Sequence, residues 1–335
     1  MNSPFPVMGF DIGGTKIAIC LAMSDGRILA SSRVNSKDRR SSEVLPELVL
    51  AGKKLLADAG LDGGELRAIG IGSPSPMDFE KGVILSPFNM TGWDEVPIRD
   101  YLSREFGVEA FFDNDANGAG AAEWIFGAGK GCEDMLYLTM STGIGAGIVA
   151  GGHLLRGHTH YGGEVGHMII DIHGPKCNCG LTGCYEAFCG GRAIAQRMQK
   201  ELADKPDSAV LKAAGGKLEN VDMKALEIAV RENDPYACGV WDEMIERNAQ
   251  AIGMLLNVFN PAVIALGTIA VHTGDLFMKP LLERVPRYSW PQMFSACEIR
   301  ASALGGSIGE YSGVAVALNF LYERGDWMLP WKQKA

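Results

Sequence analysis

The chain has 335 residues, of which 47% are hydrophobic and 21% are charged. This balance is typical of a globular protein and excludes a disordered or fibrous chain, and the length favours two domains. Lys and Arg number 31 against 40 Asp and Glu, so that the net charge is −9. The negative charge argues against nucleic acid or an anionic membrane surface as a partner.

The sequence predicts neither a membrane span nor a secretory signal. Two long uncharged stretches, 135–155 and 248–274, are interrupted by Gly, Ser, Thr, Asn or Pro and lack the roughly 18 continuous apolar residues of a bilayer span. Near the N-terminus, Asp11 interrupts the apolar run and no basic region precedes it, which is unlike a signal peptide. We therefore expect a cytoplasmic protein with no membrane partner.

Two segments share one design, an apolar strand, a glycine-rich turn and a second apolar strand. The first is 7–21, with the turn at Asp11–Lys16, and the second is 135–150, with the turn at Ser141–Gly143. The pattern predicts two β-hairpins and an internal duplication. Glycine turns of this kind orient backbone N–H groups as nests for phosphate oxygens, and two copies favour that role over plain hairpins. Neither turn is a Walker loop or a Rossmann fingerprint.

A polar cluster follows a short apolar strand near the middle of the chain. Asn114, Asp115 and Asn117 end the strand and precede a helix rich in small residues. One of them can simply cap that helix. The alternative is chemical, because phosphoryl transfer to an alcohol requires a carboxylate that accepts the hydroxyl proton, and Asn114 can offer a neighbouring hydroxyl a donor and an acceptor.

Four residues have the spacing of a closed metal site. His167 is followed by Cys177, Cys179 and Cys184, and three cysteines with one histidine match a structural zinc site. The alternative is a buried cluster of reduced thiols. Cys189 lies about one helical turn beyond Glu186 and is predicted to belong to the core.

Two carboxylates, Glu164 and Glu186, flank this predicted metal site. A loop fixed by zinc would hold both of them rigidly, as recognition of several sugar hydroxyls requires. The alternative is that they are solvent-exposed charges.

Taken together, these motifs resemble the ROK family of bacterial sugar kinases, repressors and related proteins, within the actin and hexokinase-like ATPase superfamily. The motifs that carry the resemblance are Asp11–Lys16, Asn114–Asn117, Glu164–His167 and the run from Cys177 to Glu186. The resemblance implies an α/β, two-lobed actin-like ATPase (ribonuclease H-like) fold, with duplicated mixed-sheet domains and a cleft. Its lobes are expected at 1–122 plus 312–335 and at 123–311, with the last helix returning to the first lobe.

The resemblance also implies roles for individual residues. Asp115 is expected to be the catalytic base, and His167 to ligate zinc with Cys177, Cys179 and Cys184 while also contacting the sugar. The other expected sugar contacts are Ser75, Asn89, Asn114, Glu164 and Glu186. Mg-ATP is expected along Asp11, Gly13, Gly14, Thr15, Lys16, Ser141, Thr142, Gly143 and Gly267.

The chain departs from the family pattern at two positions. Ser75 stands where the sugar-side loop of the family commonly has glycine, which puts the identity of the sugar in doubt. Gly267 is followed by Thr268, where family members usually have a further glycine.

The resulting hypothesis is an ATP-dependent hexose kinase that uses Mg²⁺ and a structural zinc ion and forms a homodimer. Glucose, converted to glucose 6-phosphate, is the first candidate substrate, and an N-acetylhexosamine or fructose is the alternative. A sugar-sensing transcriptional regulator without its DNA-binding domain is the competing class, and a binding-only pseudokinase is a third possibility.

Overall fold

The computed structural model describes residues 3–87 and 90–332. The chain forms two compact units: the first contains the segments up to residue 137, 147–162 and from 303 onward, and the second contains 138–146 and 163–302. Asn89, expected in the sugar site, lies outside the described residues. Among the described residues, no helix is both long and apolar enough to cross a bilayer.

The strands are, in chain order, β1 Pro6–Asp11, β2 Lys16–Met23, β3 Ile28–Asn35, β4 Ala68–Ser73, β5 Met77–Asp78, β6 Val83–Ile84, β7 Ala110–Asn114, β8 Met135–Met140, β9 Ile144–Ala150, β10 His153–Leu154, β11 Val263–Leu266 and β12 Glu298–Ala301. The helices are α1 Ser41–Asp58, α2 Ile98–Phe106, α3 Asp115–Phe126, α4 Tyr185–Cys189, α5 Gly191–Glu201, α6 Ala209–Ala213, α7 Met223–Arg231, α8 Pro235–Phe259, α9 Ile269–Thr273, α10 Asp275–Arg284, α11 Pro291–Ala296 and α12 Ile308–Glu323.

Two five-stranded sheets repeat one topology. Their strand orders are β3-β2-β1-β4-β7 and β10-β9-β8-β11-β12, so that each sheet places its own strands in the order third, second, first, fourth, fifth. In the first sheet β1 pairs antiparallel with β2 and parallel with β4. Both predicted hairpins and the predicted duplication of mixed sheets are therefore confirmed.

Helix α12 packs directly on the first sheet, which confirms that the C-terminal helix returns to the N-terminal part of the chain. The approach is close because glycines lie on both sides. A Cβ on Gly70 of β4 would lie 2.0 Å from the carbonyl oxygen of Gly313, and a Cβ on Gly9 of β1 would lie 2.3 Å from the backbone nitrogen of Val314. The backbones of helix and sheet thus touch without side chains between them.

The contact at Gly70 yields a stability prediction. In Gly70→Ala the new methyl group must push helix and strand apart, and we expect a loss of about 3 kcal/mol, which lowers Tm by about 5 °C or more. Gly239→Ala is the matched control, because Gly239 lies in α8 and a Cβ there meets nothing within 4 Å. Higher helix propensity should leave that variant equal to or slightly above the wild type. Equal Tm values for the two variants in a thermal melt would contradict the prediction.

Candidate functional site

The junction between β7 and α3 holds the candidate base. Asn114 is the N-cap of α3, and its Oδ1 accepts hydrogen bonds from the backbone N–H groups of Ala116 (2.8 Å) and Asn117 (3.4 Å). Asp115 follows in the first turn, where its Oδ1 also accepts from the Ala116 N–H at 2.8 Å. The capping role considered from the sequence is therefore real, but it belongs to Asn114 and leaves the second carboxylate oxygen of Asp115 outside the cap.

The amide nitrogen of Asn114 has a further partner, since its Nδ2 donates to Ser75 Oγ at 3.2 Å. The structure thus brings two of the predicted sugar-site residues together. With Oδ1 occupied by two backbone donors, Asn114 retains one N–H for another partner rather than the donor and acceptor expected from the sequence.

Asp11 lies near Asp115 in the first unit. A Cβ on Gly72 would lie 3.6 Å from both Asp11 Oδ1 and the Cα of Asp115, and one on Gly309 would lie 2.9 Å from Asp11 Oδ2. Glycine at these two positions leaves space beside the carboxylate of Asp11. The shape of the site therefore depends partly on the lack of side chains at Gly72 and Gly309.

Burial governs the protonation of both carboxylates. Burial, with a smaller contribution from the nearby Asp115 carboxylate, raises the pKa of Asp11 to about 7 against the opposing effects of Ser312 and Lys16. Burial also raises the pKa of Asp115, against hydrogen bonds from the backbone. Both residues nevertheless keep part of their surface accessible. Two adjacent acids with raised pKa values are typical of a functional site.

The first glycine turn is held by Ser36. Its hydroxyl donates to the carbonyl of Gly13 at 2.6 Å, and its N–H donates to the carbonyl of Thr15 at 3.2 Å. These bonds occupy two turn carbonyls. Lys16, at the start of β2, is exposed.

The second glycine turn lies against the segments of two predicted sugar-site carboxylates. Glu186 Oε2 accepts from the Ile144 N–H at 2.8 Å, and a Cβ on Gly143 would lie 2.5 Å from the same oxygen. In the short 3-10 turn Val165–His167, a Cβ on Gly166 would lie 2.3 Å from the Ile144 carbonyl oxygen. The Glu164–His167 motif and Glu186 therefore converge on Ile144.

The predicted metal ligands form one cluster. One ligand atom from each of His167, Cys177, Cys179 and Cys184 lies within 4.8 Å of all the others. Cys177 Sγ is 3.8 Å from His167 Nδ1, and Cys179 Sγ is 3.7 Å from Cys184 Sγ. Tetrahedral zinc with Zn–S bonds of about 2.3 Å separates its ligands by about 3.8 Å, so these residues fit the ion. Cys189 is buried outside the cluster, as predicted.

The second unit also contains a cavity of about 770 Å³, within the range of small-molecule sites. Ser141 and Thr142 of the glycine turn line it together with Thr268. Thr268 has φ 41°, a left-handed conformation that favours glycine. The usual glycine of the family at this position thus has a conformational reason. Gly267 lies beside it, with its N–H bonded to the Leu138 carbonyl at 2.8 Å.

Sequence reasoning missed most of the walls of this cavity. They come largely from α5, α7, α8 and α9 and include Arg192, Lys224, Trp241 and Asn248. Helical periodicity marks an apolar side but does not tell whether the side covers a core or a cavity.

Comparisons with known proteins identify the chain's relatives. The model of the ROK family matches residues 7–317. A glucokinase of Thermotoga maritima is 33% identical over 95% of this chain and 98% of its own length. A crystal structure of a ROK hexokinase from Thermus thermophilus has a TM-score of 0.82 at 34% identity, covering 96% of this chain and 100% of that one. A ROK family glucokinase from Streptomyces griseus, solved in complex with glucose and AMPPNP, has a TM-score of 0.76 at 28% identity, covering 93% of this chain and 99% of that one. This chain belongs to the ROK family and has its two-lobed α/β fold.

Proposed function

We propose that the protein is an ATP-dependent hexose kinase with Asp115 as the catalytic base. The observation that carries the proposal is the position of Asp115 at the β7–α3 junction, partly accessible and with a pKa raised by burial. A carboxylate with a raised pKa is a better proton acceptor than an ordinary one. The sugar hydroxyl oxygen attacks the γ-phosphorus, the bond from that phosphorus to the bridging oxygen of ADP breaks, and the hydroxyl proton goes to Asp115.

Glucose is the proposed substrate and glucose 6-phosphate the product. The support is the ROK glucokinases similar to this chain, one of them solved with glucose. We propose Ser75, Asn89, Asn114, Glu164, His167 and Glu186 as sugar contacts. Ser75 stands where the family commonly has glycine, and its hydroxyl accepts a hydrogen bond from the side chain of Asn114. Because this contact alters the proposed sugar site, an N-acetylhexosamine or fructose is the alternative substrate to test.

ATP is the proposed phosphate donor. The Streptomyces griseus relative contains AMPPNP, and the cavity beside Ser141 and Thr142 has the volume for a nucleotide. We propose Gly143 and Gly267 as further contacts on this side, and Gly13, Gly14, Thr15 and Lys16 as contacts at the first turn. Mg²⁺, when bound, neutralises phosphate charge. We propose Asp11 as the carboxylate of the first turn that lies beside Mg-ATP.

A structural zinc ion is proposed at His167, Cys177, Cys179 and Cys184. The support is the near-tetrahedral spacing of the four ligand atoms. The ion would fix the loop between His167 and Glu186, two of the proposed sugar contacts. A homodimer in the cytoplasm completes the proposal. Lobes at 1–122 plus 312–335 and at 123–311 also remain a proposal.

Asp115→Asn tests the role of the base. The amide keeps the shape and the oxygen that accepts from Ala116 but cannot take a proton, so we expect kcat with glucose to fall by about 10²-fold or more. The control is Asp62→Asn, a change at an exposed carboxylate that also accepts a backbone N–H. ADP release is measured over glucose, N-acetylglucosamine, N-acetylmannosamine and fructose. Unchanged turnover in Asp115→Asn would contradict the role of Asp115 as the base, and glucose binding without ADP release in the wild type would favour the sugar-sensing regulator.

The raised pKa of Asp11 predicts a pH-dependent stability. Its pKa of about 7 in the folded protein exceeds the ordinary 3.8, so between these values the folded state holds a proton that the unfolded state releases. Stability therefore falls as pH rises through this window and the penalty is complete above it. Removing the charge in Asp11→Asn should raise Tm at pH 8 by about 2 °C or more and change it little at pH 4. The exposed Asp207→Asn is the control, and an equal effect of Asp11→Asn at both pH values would refute the assignment.

Zinc content tests the metal site. The wild-type protein should carry about one zinc ion per chain, and Cys179→Ser should lose most of it and melt at a lower temperature. Cys238→Ser, a thiol outside the cluster, should keep the ion. The measurement is elemental analysis of purified protein with a parallel thermal melt. Retention of zinc by Cys179→Ser would show that this thiol is not a ligand.

A further inference from the structure

A buried ion pair lies directly behind the candidate base. Asp113, the residue two before Asp115, is 1% exposed. Its Oδ1 accepts from the N–H of Asn114 at 2.8 Å and from Nδ2 of Asn117 at 2.8 Å. Its Oδ2 accepts from Nε of Arg156 at 2.7 Å. One carboxylate thus ties together both flanks of Asp115.

Arg156 anchors this carboxylate to helix α12. Its Nη1 donates to both carboxylate oxygens of Glu323, at 2.8 and 2.9 Å, and its guanidinium lies 4.4 Å from the centre of the Phe320 ring. Burial opposes the charge of Arg156, but Asp113 and Glu323 outweigh it and raise the pKa of this guanidinium. Arg156 therefore stays charged and has a fixed orientation.

An ion pair in such a place is a poor device for stability alone. Removing two charges from water costs several kcal/mol per ion, and well-packed apolar residues often do as well or better. Its directional bonds do something that apolar packing cannot, since they set the orientation of the backbone at Asn114 and of the side chain of Asn117. Asp115 lies between these two points.

We propose that Asp113 and Arg156 are positioning residues that hold the first turn of α3 so that the carboxylate of Asp115 meets the reacting hydroxyl. This inference rests on the proposed function. Neither residue touches the substrate; both act through Asn114, Asp115 and Asn117. Misplacement of a catalytic group by about 1 Å costs about 10²-fold in rate, which sets the expected size of the effect.

Asp113→Asn is the main test. The amide oxygen can still accept from Asn114, but the amide nitrogen cannot accept from Arg156. The substitution therefore removes the anchor of the first turn of α3 while keeping the size and shape of the side chain at position 113. We expect kcat with glucose to fall about 10- to 100-fold with KM within about threefold, because ground-state binding is not the target. The acid limb of the kcat profile should shift as well, since a displaced Asp115 has a different environment. A purely structural role would lower Tm and leave both readouts unchanged.

Arg156 is tested by a pair of variants. Arg156→Met should lower kcat as Asp113→Asn does. Arg156→Lys should recover part of the loss because it restores the positive charge, but only part because lysine lacks the forked guanidinium that reaches Asp113 and Glu323 together. The double variant Asp113→Asn/Arg156→Met should be no worse than the poorer single variant. Additive losses would overturn the proposal. If Arg156→Met does not fold, Asp113→Asn and Arg156→Lys still decide the question.

Two controls separate this inference from the proposed function. Arg324→Met breaks the exposed pair of Arg324 with Glu109, 2.7 Å apart, which also joins α12 to the region of β7, and should leave kcat and KM unchanged. Asp115→Asn is measured alongside. If it keeps its activity, Asp115 is not the base that the proposed function requires; if it is inactive while Asp113→Asn and Arg156→Met keep the wild-type kcat, only the positioning role fails.

Discussion

The direct contact between the backbone of α12 and strands β1 and β4 is the constraint on which the candidate site in the first unit depends. Because Gly9, Gly70 and Gly313 leave no side chain in the contact, the start of the helix reaches the end of β1. This proximity places Ser312 close enough to Asp11 to lower its pKa and Gly309 beside Asp11 Oδ2. Side chains at these glycines would move the helix away from Asp11 and expose the Asp11 carboxylate to water. The raised pKa of Asp11 is thus a consequence of backbone packing in another part of the same unit.

Local pattern was enough to predict much of the fold. The two hairpins, the β7–α3 junction and the four-residue metal cluster each depend on residues within about 20 positions of one another. The spacing from His167 to Cys184 is sufficient because metal ligands must meet at one point. The family resemblance then supplied the two-lobed architecture that local patterns alone do not contain.

The features that escaped prediction connect distant parts of the chain. Arg156 follows the two-residue strand β10 and contacts Asp113, 43 positions away, and Glu323, 167 positions away. Nothing in its immediate sequence indicates these partners. Asp113 lies within β7, directly before the polar residues that the sequence pattern indicated. The double use of Asn114 was also missed, because its Oδ1 caps α3 locally while its Nδ2 donates to Ser75, 39 positions away.

The repeated strand order of the two sheets has a consequence for the chemistry of their turns. A hairpin present in two copies can change in one while the other keeps its original chemistry. Here one copy bears Asp11 and Lys16 at its turn, and the other bears the uncharged Ser141 and Thr142. The same scaffold therefore presents its turn once in an ionic version and once in a neutral version.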